Sequence, residues 1–162
     1  MTITALLPEH WAAVKAIYEA GLATGNASFQ TSAPSWEEWD AAHLKHSRLV
    51  ALEDDIMLGW AALTPVSGRC VYAGVAEVSV YIDIARRGRG IGKALLQELI
   101  AESEKNGLWT LQAGIFPENT ASVQLHEKCG FRQVGVREKI GKMGDRWRDT
   151  VLLERRSKTV AI

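Results

Sequence analysis

Cysteine is scarce in this chain, and net charge is absent. The two cysteines, Cys70 and Cys129, form no CxxC pair and share no Cys/His spacing of the kind that holds a metal, so no metal centre is expected and both read as small core or surface residues of a reduced protein. Nineteen Lys and Arg residues offset nineteen Asp and Glu, which leaves no field to draw in nucleic acid or an anionic membrane. No apolar run is long enough to span a bilayer, and no secretory signal is evident. A soluble, cytoplasmic protein is the expectation. No repeat, linker or low-complexity segment interrupts the sequence, and 162 residues at 47% apolar can bury a full core as one domain over 1–162.

Against that neutral background one stretch is distinctive. Val78, Val80, Ile82 and Ile84 alternate with Ser79, Tyr81 and Asp83, the period of a half-buried strand, and Glu77 falls on the polar face. The chain then reads Arg86-Arg87-Gly88-Arg89-Gly90-Ile91-Gly92-Lys93. Ile91, Leu95 and Leu99, flanked by Leu96 and Ile100, mark an amphipathic helix that Asn106-Gly107 ends. Glycines at a helix start let the backbone approach a ligand, and the free N–H groups there favour an anion such as a pyrophosphate. A solvated basic turn is the commoner fate of such a run, but glycine spacing directly after a strand favours the phosphate. Lys93 is followed by Ala94, which excludes a Walker A loop, and Gly88, Gly90 and Gly92 are spaced GxGxG rather than GxGxxG.

Hydrophobic patterning fills in the rest. We expect a strand over Thr2 to Leu7, a helix from Pro8 towards Gly21, and a loop over 26–32. A helix capped by Ser35 with Glu38 runs to about His46. A hairpin follows, Arg48 to Glu53 and Ile56 to Thr64 about Asp54-Asp55, and a turn then leads through Cys70 to Gly74. Beyond the glycine-rich helix come a strand over Trp109 to Phe116, a helix over Thr120 to Lys128 and a strand over Phe131 to Val136. Residues 137–146 read as a mobile loop before a last strand, Trp147 to Arg155. The fold class is α/β, with a mixed, mostly antiparallel sheet and helices on both faces.

Two blocks carry a family resemblance. Arg87-x-x-Gly90-x-Gly92 resembles the acyl-CoA pyrophosphate loop of the GNAT superfamily of N-acyltransferases. Asn119-Thr120-Ala121-Ser122-Val123-Gln124-Leu125-His126-Glu127-Lys128-Cys129-Gly130-Phe131 resembles that superfamily's second signature. Within it, Ala76-Glu77-Val78-Ser79-Val80-Tyr81-Ile82, Leu125-His126-Glu127, Gly144-Asp145-Arg146-Trp147-Arg148-Asp149 and the loop Ala27-Ser28-Phe29-Gln30-Thr31 are similar to phosphinothricin and methionine sulfoximine acetyltransferases, from about residue 3 to 155.

The resemblance implies transfer of an acetyl group from acetyl-CoA to a small amine, directly in a ternary complex, by a homodimer. The cofactor cradle maps to Arg87, Gly88, Arg89, Gly90, Ile91, Gly92 and Lys93. The backbone of Val80, Tyr81 and Ile82 would pair the pantetheine arm, an N–H near Val80 would polarise the thioester carbonyl, and Asn119 and Lys128 would add contacts. Glu77 would accept the amine proton through a water, since an unpaired carboxylate on an apolar central strand is costly without a role. His126, with an ordinary pKa near 6.5, is open between acid, base and packing. Phe29, Thr31, Arg69, Tyr72 and Trp147 would line the acceptor pocket. Another amine acceptor, a sensor that binds acetyl-CoA without turnover, and a protein or nucleic-acid partner for the basic loop are the alternatives.

Overall fold

The computed structural model describes residues 1–162. In chain order the elements are β1 (Thr2–Ala5), α1 (Trp11–Leu22, entered through a 3-10 turn at Pro8–His10), α2 (Trp36–Ala42), β2 (Leu49–Glu53), β3 (Ile56–Pro65), β4 (Val75–Ile82), α3 (Ile91–Lys105), β5 (Thr110–Ile115), α4 (Thr120–Lys128), β6 (Arg132–Met143) and β7 (Arg146–Arg156). The strands form one sheet in the order β1-β2-β3-β4-β5-β7-β6. Every neighbouring pair is antiparallel except β4 and β5, which α3 connects. The expected α/β class, the mixed sheet and the helices on both faces are all present.

The sheet is buried on both sides because its central strands are apolar on both. Leu63, Ala76 and Val78 face α3, joining Leu95, Leu96 and Leu99 in the larger core cluster. Val50, Trp60 and Ala62 face α1 and α2 and meet Val14, Tyr18 and Trp39. A bulge in β3 serves both: Ala51 pairs with Gly59 and Leu52 with Met57, leaving Leu58 unopposed. The extra residue reverses the alternation, so Leu58 joins the α3 side while Met57 and Trp60 share the α1 side.

Three expected boundaries shift, each for a local reason. β4 stops at Ile82 rather than Ile84, because the Asp83 carboxylate accepts from Ala85 N–H at 3.1 Å and starts a 3-10 turn over Ile84–Arg86. α2 stops at Ala42 rather than near His46. The Arg48 guanidinium gathers the carbonyls of Asp40, His43 and Leu44 that another helical turn would have used. The segment 137–146 is not a loop: β6 continues to Met143 and turns through Gly144 and Asp145 into β7. Charged residues and two register shifts, at Gln133/Gly135 and Arg137/Gly141, hide the alternation that marks a strand.

Candidate active site

β4 and β5 pair only at Val75 with Thr110, Ala76 with Leu111 and Glu77 with Gln112. Past Glu77 each strand keeps its outer partner, β4 on β3 and β5 on β7, but they lose each other. The inner edge of β4 is left with strand hydrogen-bonding groups that no neighbour takes up, and such groups need a partner. A cleft of about 1010 Å³ opens there, lined by Glu77 to Ile82 on one side and Ala113 to Ile115 on the other.

One end of the cleft is the glycine turn. Gly88 (φ 82°) and Gly90 (φ 77°) occupy the left-handed region, and a Cβ on either would meet nothing within 4 Å. Gly90 caps α3 without any side chain bonding the helix N–H groups. Those donors face the cleft, with Arg86, Arg87, Lys93 and Lys128 around them. Bare donors, an open backbone and four cations fit a pyrophosphate. Gly92 does different work, since a Cβ there would stand 3.1 Å from Leu125 Cδ2 and hold α3 off α4. Arg89 is outside the cleft, bonded to Glu53 at 2.6 Å. Arg86, not singled out from the sequence, lines it; its place in the basic run was the available signal.

Glu77 lies in the middle, at the last residue pair the two strands share, and accepts from Gln112 Nε2 at 3.4 Å. His126, on α4, also reaches the cleft although it is 4% exposed. Its Nδ1 lies 2.7 Å from the Ser122 carbonyl. A carbonyl can only accept, so Nδ1 carries the proton and Nε2 bears a lone pair. Nε2 has no protein partner and is not among the sealed, unpartnered polar atoms. Burial holds the imidazole pKa below its ordinary value, against the opposing pull of that carbonyl. Asn119 caps α4 through Ser122 N–H (3.3 Å), and its amide donates to the Asn26 carbonyl (3.2 Å).

The other end of the cleft lies against α1 and α2. Tyr18, Gln30, Trp39, His43, Thr64 and Tyr81 are among the residues that line it. None of Phe29, Thr31, Arg69, Tyr72 and Trp147 does. Phe29 packs edge-on to Phe116 (4.9 Å) and over Gly141. Thr31 is exposed. Arg69 lies over Tyr72 (5.6 Å) on an exposed turn, and Trp147 is 55% exposed beside Lys142. Within the loop after α1, the neighbours of Phe29 face inward instead: Ser28 and Gln30 line the cleft, and the Tyr18 hydroxyl donates to Gln30 Oε1.

Arg148 on β7 anchors that loop. It donates to the Gly25 carbonyl (2.6 Å), Asn26 Oδ1 (2.8 Å) and Glu118 (3.3 Å), and its guanidinium lies 3.8 Å from the Phe116 ring centre. It is 4% exposed. Nothing in the polar run Arg146-Trp147-Arg148-Asp149-Thr150 set Arg148 apart from its charged neighbours in the sequence.

Residues 11–131 match the Acetyltransferase (GNAT) family. The chain is 38% identical over 160 residues to a phosphinothricin N-acetyltransferase of Alcaligenes faecalis, covering 95% of this chain and 81% of that protein. It is 31% identical over 106 residues to an L-methionine sulfoximine/L-methionine sulfone acetyltransferase of Salmonella typhimurium, 65% of this chain and 62% of that one. Among solved structures, a GNAT superfamily phosphinothricin acetyltransferase from Sinorhizobium meliloti in complex with acetyl-CoA superimposes with a TM-score of 0.85 at 25% identity, covering 99% of this chain and 95% of that one. A sheet that parts beside a bare helix N-terminus, and a family match across three quarters of the sequence, lead to one conclusion: the chain belongs to the acetyltransferase (GNAT) family and is an acetyl-CoA-dependent N-acetyltransferase.

Proposed function

We propose that this one-domain enzyme transfers the acetyl group of acetyl-CoA to the α-amino group of a small amino-acid analogue of the phosphinothricin or methionine sulfoximine type, directly, with both substrates bound together. The observation that carries the reading is that the cleft is a single space, running from the glycine turn past Glu77 to the α1/α2 end. Neither cysteine lines it, which argues against an acyl-cysteine intermediate. Acetyl-CoA supplies the activated acetyl thioester. Arg87, Lys93 and Lys128, with the N–H groups at Gly88 to Ile91, bind the pyrophosphate, and Arg89 secures the turn from outside. The open edge of β4 at Val80, Tyr81 and Ile82 pairs the pantetheine arm as an added strand would, and an N–H near Val80 polarises the carbonyl. Glu77, steadied by Gln112, accepts the amine proton through one ordered water. His126, neutral with its Nε2 lone pair open, can take a proton and pass it on.

Charge supports the acceptor class. The cleft's carboxylates are Glu77 and Glu38, and Glu38 is tied to Ser35 in the α2 cap. Polyamines and aminoglycosides would find too few anions there, whereas an acceptor that carries its own carboxylate needs no acidic cleft. The test is thiol release with acetyl-CoA and a panel of amines. Amino-acid analogues are expected to turn over fastest. An aminoglycoside, polyamine or peptide N-terminus acetylated as efficiently as every analogue would refute the acceptor class. We also place the enzyme in the cytoplasm, where the free thiols of Cys70 and Cys129 would stay reduced. We assign it a homodimer, supported by exposed Val134, Val136 and Ile140 on the edge strand β6, which sedimentation at micromolar concentration would check.

A further inference from the structure

An ammonium acceptor must shed two protons to become an amide. One leaves before attack, to free the nitrogen lone pair, and one after the C–N bond forms. Glu77 accounts for one of them. We propose that His43 takes the other, accepting at Nε2 the proton that the acceptor ammonium loses before attack. The step balances. The ammonium N–H bond breaks, an Nε2–H bond forms, and the ring becomes imidazolium. The free amine then attacks the acetyl carbon, the C–S bond breaks, and the second proton, through Glu77, goes to the departing thiolate. Imidazolium returns its proton to solvent before the next turnover. The assignment rests on the acetyl-transfer reading above.

Four observations carry it. His43, just past α2, and His126, on α4, both line the cleft. The wall between His43 and Glu77 is short: Leu44 N–H donates to the Leu63 carbonyl at 2.9 Å, and Thr64, the next residue on β3, pairs directly with Glu77 on β4. The ring is fixed in position and tautomer. It stacks on Trp39 with centroids 4.0 Å apart and planes 19° apart, and Nδ1 lies 2.7 Å from the Trp39 carbonyl, so Nδ1 bears the proton. Nε2 has no partner in the protein and is not sealed from solvent, and the residue lines the cleft.

The surroundings keep the ring neutral and therefore able to accept. Burial pulls its pKa below the ordinary value, opposed by the Trp39 carbonyl, and Arg48 adds to the lowering while Asp40 resists it. Asp40, on α2, is bonded at 2.6 Å by Arg48, the residue before β2, so the two largely cancel. From β3 the neighbour is the uncharged Thr64. Besides Arg86, Arg87, Lys93, His126 and Lys128, the titratable groups that line the cleft with His43 are Glu77 and Tyr81 on β4, Tyr18 on α1 and Glu38 on α2. Burial raises both phenols and keeps them uncharged.

The test compares kcat/KM for the amine in the wild type and in His43→Gln, between about pH 6 and pH 10. It uses whichever amine the panel shows to be fastest, so a wrong acceptor class sinks the earlier reading without touching this one. Glutamine can still donate to the Trp39 carbonyl. The expected loss is about 10²-fold near pH 7, shrinking towards none above the amine's own pKa, where the amine arrives already neutral, with the KM for acetyl-CoA unchanged. A loss constant across pH, or no loss, overturns the proposal. Should the variant not fold, ¹⁵N-histidine NMR of the wild type decides: His43 protonated at Nε2 at pH 7 in the free enzyme would overturn it equally.

Discussion

Glu77 occupies the last position at which β4 and β5 still hold each other. Its carboxylate is therefore fixed by a paired backbone while it looks into an unpaired space, and Gln112 steadies it without neutralising it. Glu77→Gln keeps the shape and removes the proton acceptor, so kcat is expected to fall by about 10²–10⁴-fold while the acetyl-CoA KM stays nearly constant. Steady-state kinetics decides, and a variant that loses only acetyl-CoA affinity would contradict the role. Gly90 tests the other end. Its φ of 77° costs a side chain about 1–2 kcal/mol, yet a Cβ there meets no protein atom within 4 Å. Gly90→Val is expected to fold and to bind acetyl-CoA at least about tenfold more weakly, the equivalent of 1.4 kcal/mol, as titration calorimetry would show. Both residues were legible in the sequence because strand alternation and glycine spacing are local patterns. The acceptor end was not. Tyr18 lies on α1, His43 just past α2 and Thr64 on β3, and only the packing of α1 and α2 on the sheet brings them to one wall.

Among elements, those whose pattern is set by their own core contacts were readable. α3 shows an apolar stripe ending at Asn106, and the hairpin of β2 and β3 turns at Asp54-Asp55 as its turn residues suggest. The first part of β6 was read as a strand, but its continuation over 137–143 was misread because that stretch is mostly charged and its register shifts at Arg137/Gly141, so no alternation survives there. The loop after α1 shows the same limit. Its sequence places Phe29 at the site, but the structure puts that ring against Phe116 and Gly141, because Arg148 draws Gly25 and Asn26 towards β7. Arg148→Met tests the anchor. It removes hydrogen bonds from a buried guanidinium, each contributing about 1.5–3 kcal/mol, and frees the loop that carries Ser28 and Gln30. The expected outcome is a stability loss of about 2–3 kcal/mol in denaturant unfolding, with the amine KM raised more than the acetyl-CoA KM. An unchanged amine KM would show that the loop keeps its place without the anchor.

At the scale of the whole molecule, acid is expected to act in two separate windows. His43 and His126 both have pKa values depressed by burial, so between the unfolded value near 6.5 and their folded values the unfolded chain binds more protons than the native one. Stability is then full above about pH 6.5 and declines as pH falls through that window. The paired carboxylates act lower down. Glu104 is held below its ordinary value chiefly by the Thr159 hydroxyl, and Asp40 by Arg48 and Lys45, so their contribution is full above the usual carboxylate values and is lost as pH falls through those values towards the depressed ones. Thermal unfolding followed from pH 8 down to about pH 3 is expected to fall in two steps. His126→Gln, which can still donate to the Ser122 carbonyl, is expected to shrink the upper step and leave the lower one in place. An upper step unchanged in His126→Gln would mean that His126 titrates alike in the folded and unfolded chain, contrary to its burial beneath Phe131 and the open lone pair assigned to it in the cleft.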